Sequence, residues 1–436
     1  MTPCGVAPVL SRLYNARSNA GEAAVTRHRY RHAMSQLNRG QTQPPKCGSV
    51  IRGASARTLE QTESPLSTNV TTNARHALPA EYYYSEEQYQ AEKEAIWFEQ
   101  WVYVGRAETV ALPGQFRTVD IVGESILVTR NDAGELRAFY NVCSHRGSRL
   151  CEEPAGTTKE VFQCPYHAWC YNLNGDLVVT PRVGDGEVDR SVLGLKPVSV
   201  DEWQGFLFVN LTSGSPVPLR ESIDRSSVEA LTFERHEMDK LITVQSTETL
   251  VAANWKILVE NYAECLHCPI VHPELVEIVP TFRTGSTSDS NRVDGGVLTT
   301  TGGTSYSPES KGRNAILPGM TEEQAHSIFG SRVFPNMWID LAGSNVVVGR
   351  LVPEGPTQTR VLMDYLFLVE DIASDDFDPE PIVEFVELVN RQDYAVCERV
   401  QRGVTSRGFK HGVYPALDES VHGFNEHYRK VMASGA

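Results

Sequence analysis

A chain of 436 residues, 41% hydrophobic and 22% charged, is long enough and ordinary enough in composition for two soluble globular domains. No apolar run approaches the roughly 20 residues needed to span a bilayer, which excludes a membrane-embedded protein. The net charge of −15 argues against a nucleic-acid partner, because phosphate binding takes clustered Lys and Arg.

The charge is uneven. Residues 1–58 hold nine Lys and Arg against one acid, Glu22, so this stretch is +8 and the remainder is −23. A basic, Ser/Ala-rich, acid-poor opening has the composition of an organellar transit peptide, with a disordered tail or an over-extended start as the alternative. Residues 1–75 are therefore set apart from the fold. The nine cysteines are odd in number and are not spaced like a secreted disulfide framework. A reducing compartment is expected, cytoplasm or the interior of an organelle.

Ser85 to Trp101 reads as an amphipathic helix with Ser85 as its N-cap. Short alternating segments follow at Phe116–Val122, Ser125–Arg130 and Leu136–Val142. The turn signals Gly123-Glu124 and Asn131–Gly134 separate them. Tyr171–Thr180 contains Asn174-Gly175, a strong hairpin signal. Val198–Val200 and Phe206–Asn210 would close a small antiparallel unit, whose end is placed near the turn-rich Ser213–Pro218. Residues 76–215 are thus one expected domain and 216–436 a second. In the second, helices are expected near Asn254–His267 and Pro379–Arg402, with strands at Asn345–Val352 and Arg360–Val369. Thr284–Lys311, rich in Gly, Ser and Thr, reads as loops. No glycine fingerprint for a nucleotide stands in a strand–helix context, so the chain is not expected to bind its own NAD or flavin.

Cys143-Ser144-His145 is followed after eighteen residues by Cys164-Pro165-Tyr166-His167. Two such pairs suit a cluster whose two irons have different ligands, with thiolates from Cys143 and Cys164 on one and imidazoles from His145 and His167 on the other. Exchanging two thiolates for neutral imidazoles raises the reduction potential. The alternatives are core cysteines with incidental histidines, or zinc on the same four residues.

In the 254–267 helix, Trp255, Leu258, Val259, Tyr262, Ala263 and Leu266 form an apolar stripe. Glu260, Glu264 and His267 share another face, with Pro269 ending the helix and His272 in the turn. In the late helix, Asp393 stands at the centre of a stripe of Val386, Val389, Val396, Cys397 and Val400. A buried carboxylate needs a metal or a cation beside it. Two imidazoles and one carboxylate with open positions make the facial triad that binds ferrous iron. A structural pair of Asp393 with Arg391 or Arg399 is the alternative, and Cys265 and Cys268 beside His267 offer a weaker zinc reading.

With both sites in view, the chain resembles the α-subunit of the Rieske non-heme iron oxygenases over essentially all of residues 80–436. Cys143-x-His145-Arg146-Gly147 and Cys164-Pro165-Tyr166-His167 match that family's cluster motif. Ala168 departs from its usual Gly, a change that adds only a methyl group. Ser148 and Tyr166 stand where respiratory Rieske proteins have further cysteines, and Cys151 and Cys170 read as packed thiols. Residues 260–275 (ENYAECLHC and HPEL) and 391–403 (RQDYAVCERVQRG) are similar to the branch containing glycine betaine, stachydrine, carnitine and choline monooxygenases.

The resemblance implies an α+β fold, a small antiparallel Rieske domain followed by a helix-grip catalytic domain. It implies a [2Fe-2S] cluster, mononuclear Fe(II) on His267, His272 and Asp393, and Glu264 bridging the two centres. It also implies electrons from a separate flavin/iron–sulfur reductase fed by NAD(P)H, O2 as co-substrate, and a homotrimer in which His167 or His145 of one subunit meets Glu264 of the next. Hydroxylation or N-demethylation of a small quaternary or N-methyl amine is expected, with Tyr262, Phe334 or Trp338 as candidates for an aromatic cage. Oxygenation of an aromatic acid or ring is the alternative within the family, and a pure electron carrier or a zinc-stapled protein the alternatives outside it.

Overall fold

A computed structural model describes residues 75–184, 186–225, 236–285, 292–293, 296–298, 303–306 and 315–434, all within one compact unit, Thr72–Ala436. The basic stretch 1–58 lies outside the described residues.

Helix α1 (Glu86–Glu92) starts where expected: Ser85 Oγ accepts a hydrogen bond from Gln88 N at 3.3 Å. It continues as a π-helical turn over Lys93–Trp97 and stops short of Trp101. Strands then run at Val102–Arg106, Gln115–Ile121, Glu124–Arg130, Leu136–Tyr140, Ala155–Thr157, Pro197–Trp203 and Phe206–Asn210, joined in one antiparallel sheet of seven. The first hairpin turns at Val122-Gly123, one residue earlier than expected, with φ of +42° and +105°. Two positive φ values give the twist that a two-residue hairpin needs. A separate three-stranded sheet (Val161–Gln163, Cys170–Asn172, Leu177–Val179) carries the Asn174-Gly175 turn. Gly175 has φ +86°, and a Cβ there would stand 2.4 Å from the Phe139 ring, so the position needs glycine twice over.

The second seven-stranded sheet is built from Leu241–Val251, Arg292–Val293, Gly296–Leu298, Ser327–Val333, Met337–Leu341, Val346–Gly355 and Gln358–Leu368. Its first strand pairs with its last, and the strands between follow in chain order. The long helix α5 (Glu380–Val404) and the C-terminal helix α6 (Glu419–Ser434) share a core with this sheet, through Tyr365, Phe367, Ile382, Cys397 and Tyr428. The mixed helix and antiparallel-sheet architecture is the one expected.

Two local expectations need correction. Thr284–Lys311 is only partly described, and within it Arg292–Val293 and Gly296–Leu298 are paired strands, not loop. The Asp294-Gly295 signal between them was hidden by the Gly/Ser/Thr composition. The metal-bearing helix is also shorter than expected: α2 spans Trp255–Tyr262, capped by Asn254. Beyond it the Glu264 carboxylate takes the Leu266 and His267 backbone N–H groups, which competes with helical bonding. Two short helices follow, α3 (Cys268–Val271) and α4 (Pro273–Ile278). Glu260 therefore does not share a face with Glu264. It accepts from Tyr83 OH at 2.7 Å, and burial raises its carboxyl to about 7.

Next to it, Lys256 Nζ and Glu92 Oε1 are 2.5 Å apart with no exposed area on either side chain. Glu92 also accepts from Trp255 Nε1 at 2.8 Å and Tyr428 OH at 2.6 Å, which ties α1, α2 and α6 together. Lys256→Met leaves Glu92 buried without its counter-charge and is expected to cost about 3–5 kcal/mol. Denaturant unfolding checks this, and Glu92→Gln in the same chain should return most of the loss.

Candidate functional site: two metal centres and a cavity

The first centre is held by two loops of the same shape. In one, Cys143 N donates to Ser148 O and Gly147 N to Cys143 O; in the other, Cys164 N donates to Trp169 O and Ala168 N to Cys164 O. Cys143 and Cys164 are buried free thiols, each 2% exposed, whereas His145 lies at the surface and His167 is half-buried. Tyr171 OH lies 3.2 Å from Cys143 Sγ and accepts from Ser144 N at 3.0 Å, so its proton is free to go to the sulfur. The two imidazole rings are 4.5 Å apart at an angle of 68°, and His145 stacks flat on Trp169. Nδ1 of His167 is shielded from solvent and has no partner among the described residues. Paired buried thiols and paired imidazoles with an orphaned ring nitrogen fit a cluster of mixed ligands.

Equivalent positions in the two loops take left-handed backbone, Gly147 at φ +72° and Ala168 at φ +56°. The methyl of Ala168 thus carries a penalty of conformation, not of space. Ala168→Gly should relieve about 1–2 kcal/mol of that strain, against about 0.5–1 kcal/mol for the freer unfolded chain. A rise of roughly 1–3 °C in melting temperature, with cluster content unchanged, is the expected outcome.

The second centre draws on three stretches of chain. Oδ1 of Asp393 on α5 lies 2.8 Å from His272 Nε2 and 3.2 Å from His267 Nε2. Candidate ligand atoms of all three residues fall within 4.8 Å of one another. The opposite nitrogens are taken: His267 Nδ1 lies 2.6 Å from Glu264 Oε1, and His272 Nδ1 lies 2.8 Å from Gln392 Oε1. Each acceptor fixes a proton on Nδ1 and leaves the Nε2 lone pair facing Asp393, as a metal requires. Burial works to lower the His267 imidazole, but the carboxylates of Asp393 and Glu264, as hydrogen-bond acceptors, outweigh it and lift it to about 9. Burial likewise pushes the Asp393 carboxyl up, and the two imidazoles override it and hold it below its usual value.

Among the described residues the ion partners of Asp393 are His267 and His272, while Arg391 and Arg399 are exposed. Val400, expected on the apolar stripe, is 43% exposed. Cys265 and Cys268 are joined to each other in a disulfide, which takes up the two sulfurs that the zinc reading needed as thiolates. Cys151 and Cys170 are buried free thiols, as expected.

A cavity of about 660 Å³ opens beside the triad. Tyr262, Phe334 and Trp338, the three candidate aromatics, all line it. Trp338 stacks on Tyr262, with centroids 5.3 Å apart and planes at 15°. Asp340 was missed in the sequence. It accepts from Tyr262 OH at 2.7 Å and Tyr306 OH at 3.4 Å, and burial pushes its carboxyl up to about 6. A carboxylate inside the apolar strand Met337–Leu341 is the same signal that picked out Asp393. Gln392 and Asn390 were also missed. Nδ2 of Asn390 is shielded in the cavity wall without a partner among the described residues.

Residues 100–195 match the model of the Rieske [2Fe-2S] domain, and residues 229–434 that of the ring hydroxylating alpha subunit (catalytic domain). The glycine betaine monooxygenase oxygenase subunit of Chromohalobacter salexigens is 30% identical, covering 82% of this chain and 86% of its own. This chain is a Rieske oxygenase subunit. It is thereby an oxidoreductase whose cofactors are a Rieske cluster and a mononuclear iron. The carnitine monooxygenase oxygenase subunit of Acinetobacter baumannii is also 30% identical to this oxygenase, over 80% of this chain and 91% of its own. The chloroplastic choline monooxygenase of Spinacia oleracea is 27% identical over 80% and 77%. A quaternary ammonium Rieske monooxygenase solved with L-carnitine shares the fold at a TM-score of 0.66 and 24% identity, covering 82% of this chain and 96% of that one.

Proposed function

We propose that this oxygenase hydroxylates or N-demethylates a small quaternary or N-methylated amine. Cys143 and Cys164 hold one iron of the cluster and His145 and His167 the other, while His267, His272 and Asp393 hold the mononuclear Fe(II). When bound, the two centres supply electron storage and O2 activation. The remaining chemistry belongs to the chain. Glu264 and Gln392 keep protons on the outer histidine nitrogens and present the inner ones. Tyr262 and Tyr306 hold Asp340 in the cavity wall. One oxygen atom of O2 enters an N-methyl C–H bond while two electrons and two protons reduce the other to water. The hydroxymethylammonium product then releases formaldehyde and the demethylated amine.

The observation that carries the substrate reading is Asp340: a half-buried carboxylate in the cavity wall, held on one oxygen by two tyrosines, near enough to the triad for the Asp393 charge to act on it. A cation is the partner that such a group lacks. The similar proteins named above for glycine betaine, carnitine and choline support the same class.

The chain divides near residue 215 into a cluster domain and an iron domain. Electrons come from a separate reductase using NAD(P)H. No hydrogen bond joins the Cys/His loops to Glu264 among the described residues. The resemblance to the family's α-subunits supports a homotrimer in which the cluster of one subunit serves the iron of the next through Glu264. No helix among the described residues is long and apolar enough to cross a membrane, and the working compartment is the cytoplasm or an organelle interior.

A single turnover of chemically reduced, iron-loaded protein with O2 tests the reading. Offered betaines, choline, carnitine and aromatic acids together, it should oxidise an amine by mass spectrometry. Turnover of aromatics alone would overturn the amine reading.

A further inference from the structure

Resting on the amine reading, a second charge in the same cavity narrows the substrate class. In the sheet, Arg332 stands opposite Trp338 and Gly330 opposite Asp340. Cross-strand partners share a face, so Arg332, Trp338 and Asp340 all project from the same side, and all three line the cavity. Gly330 leaves room for the carboxylate's partner: a Cβ there would stand 2.9 Å from Tyr262 OH. Oδ2 of Asp340 keeps no protein partner among the described residues, both tyrosines being on Oδ1.

The guanidinium of Arg332 is half satisfied. Nη2 donates to Ser420 Oγ at 3.0 Å, and Cζ lies 6.0 Å from the Phe424 ring centroid. Nη1 is shielded from solvent and has no acceptor among the described residues. Asp340 does not supply one, since no ion pair joins the two among the described residues. Two opposite charges thus share one cavity wall without neutralising each other. The charge of Asp393 reaches the Asp340 carboxylate, and Asp393 lines the same cavity.

We propose that the cavity selects zwitterions: Asp340, with the rings of Tyr262 and Tyr306, takes the ammonium, and Arg332 Nη1 takes a carboxylate on the same molecule. Binding in that sense presents the N-methyl groups to His267, His272 and Asp393. A cation without a carboxylate, such as choline, leaves Nη1 unmatched and adds a positive charge to a wall that already has one.

Calorimetric titration of the iron- and cluster-loaded protein with glycine betaine, γ-butyrobetaine and choline tests this without turnover. At least one betaine is expected to bind about tenfold or more tighter than choline. Arg332→Gln should erase that preference and leave choline within about threefold, and Arg332→Lys should keep part of it. Choline bound as tightly as both betaines by the unsubstituted protein overturns the zwitterion proposal alone, and this arm needs no variant to fold. Equal weakening of all three ligands in Arg332→Gln does the same. If none of the three binds and single turnover finds only aromatic products, the amine reading falls with it.

Discussion

Asp393→Ala is expected to give a protein that is still red-brown, still one-electron reducible at its cluster, and inactive. Asp393 is the only carboxylate in the triad, and its Oδ1 sits within 3.2 Å of both inner histidine nitrogens. Alanine leaves two neutral imidazoles with no charge to offset a divalent ion, so the mononuclear iron should fall to background. Metal contributes several kcal/mol to such reactions, so the rate should drop by about 10³-fold or more. Among the described residues the ion partners of Asp393 are His267 and His272 and no cluster-loop residue, so the cluster's absorption and paramagnetic signal should survive. Iron analysis, the visible spectrum and product formation, read on one preparation, check all three. Loss of the cluster signal together with the activity would instead mean that Asp393 holds the fold.

Glu264→Gln should produce the second largest effect by a different route. One carboxylate oxygen accepts from His267 Nδ1 at 2.6 Å, and the other accepts from the backbone of Leu266 and His267. A carboxamide has one acceptor oxygen and turns an NH2 toward whichever donors it fails to satisfy. Either His267 loses its orientation or the 264–267 turn loses its anchor. Removing a group of this kind from behind a metal ligand typically costs 10–100-fold in metal affinity or activity. Activity should fall at least that far, because Glu264 is also the proposed contact for the neighbouring cluster. Iron loading measured beside steady-state turnover separates the roles: activity lost far beyond iron points to electron passage, and equal losses to ligand orientation.

Much of the architecture was legible because its signals are local. The Ser85 cap, the Asn174-Gly175 hairpin and the alternating strands from Gln115 to Tyr140 depend on a few neighbouring residues each. The extent of α2 was not legible. Periodicity ran unbroken through Leu266, while what ends the helix is one side chain, Glu264, bonding its own backbone. Ala168 shows a similar limit: its residue type reveals the added methyl but not the sign of φ. The strands at 292–298 were masked by composition. At the site, Cys143, His145, Cys164, His167, His267, His272 and Asp393 were picked out by spacing and by the oddity of a buried carboxylate. Asp340 carried that same oddity and was passed over. Arg332 could not have been found that way, since its significance lies in sharing a sheet face with Asp340, one pair along the register, without bonding it.

The most direct test of the account is metal and sulfide analysis of the purified holoprotein, alongside Cys143→Ser and Asp393→Ala. A two-iron cluster plus one mononuclear iron predicts about three irons and about two acid-labile sulfides per chain. Asp393→Ala should lose one iron and no sulfide, and Cys143→Ser should lose the sulfide and its colour. A colourless protein containing zinc and no sulfide would contradict the account at its root.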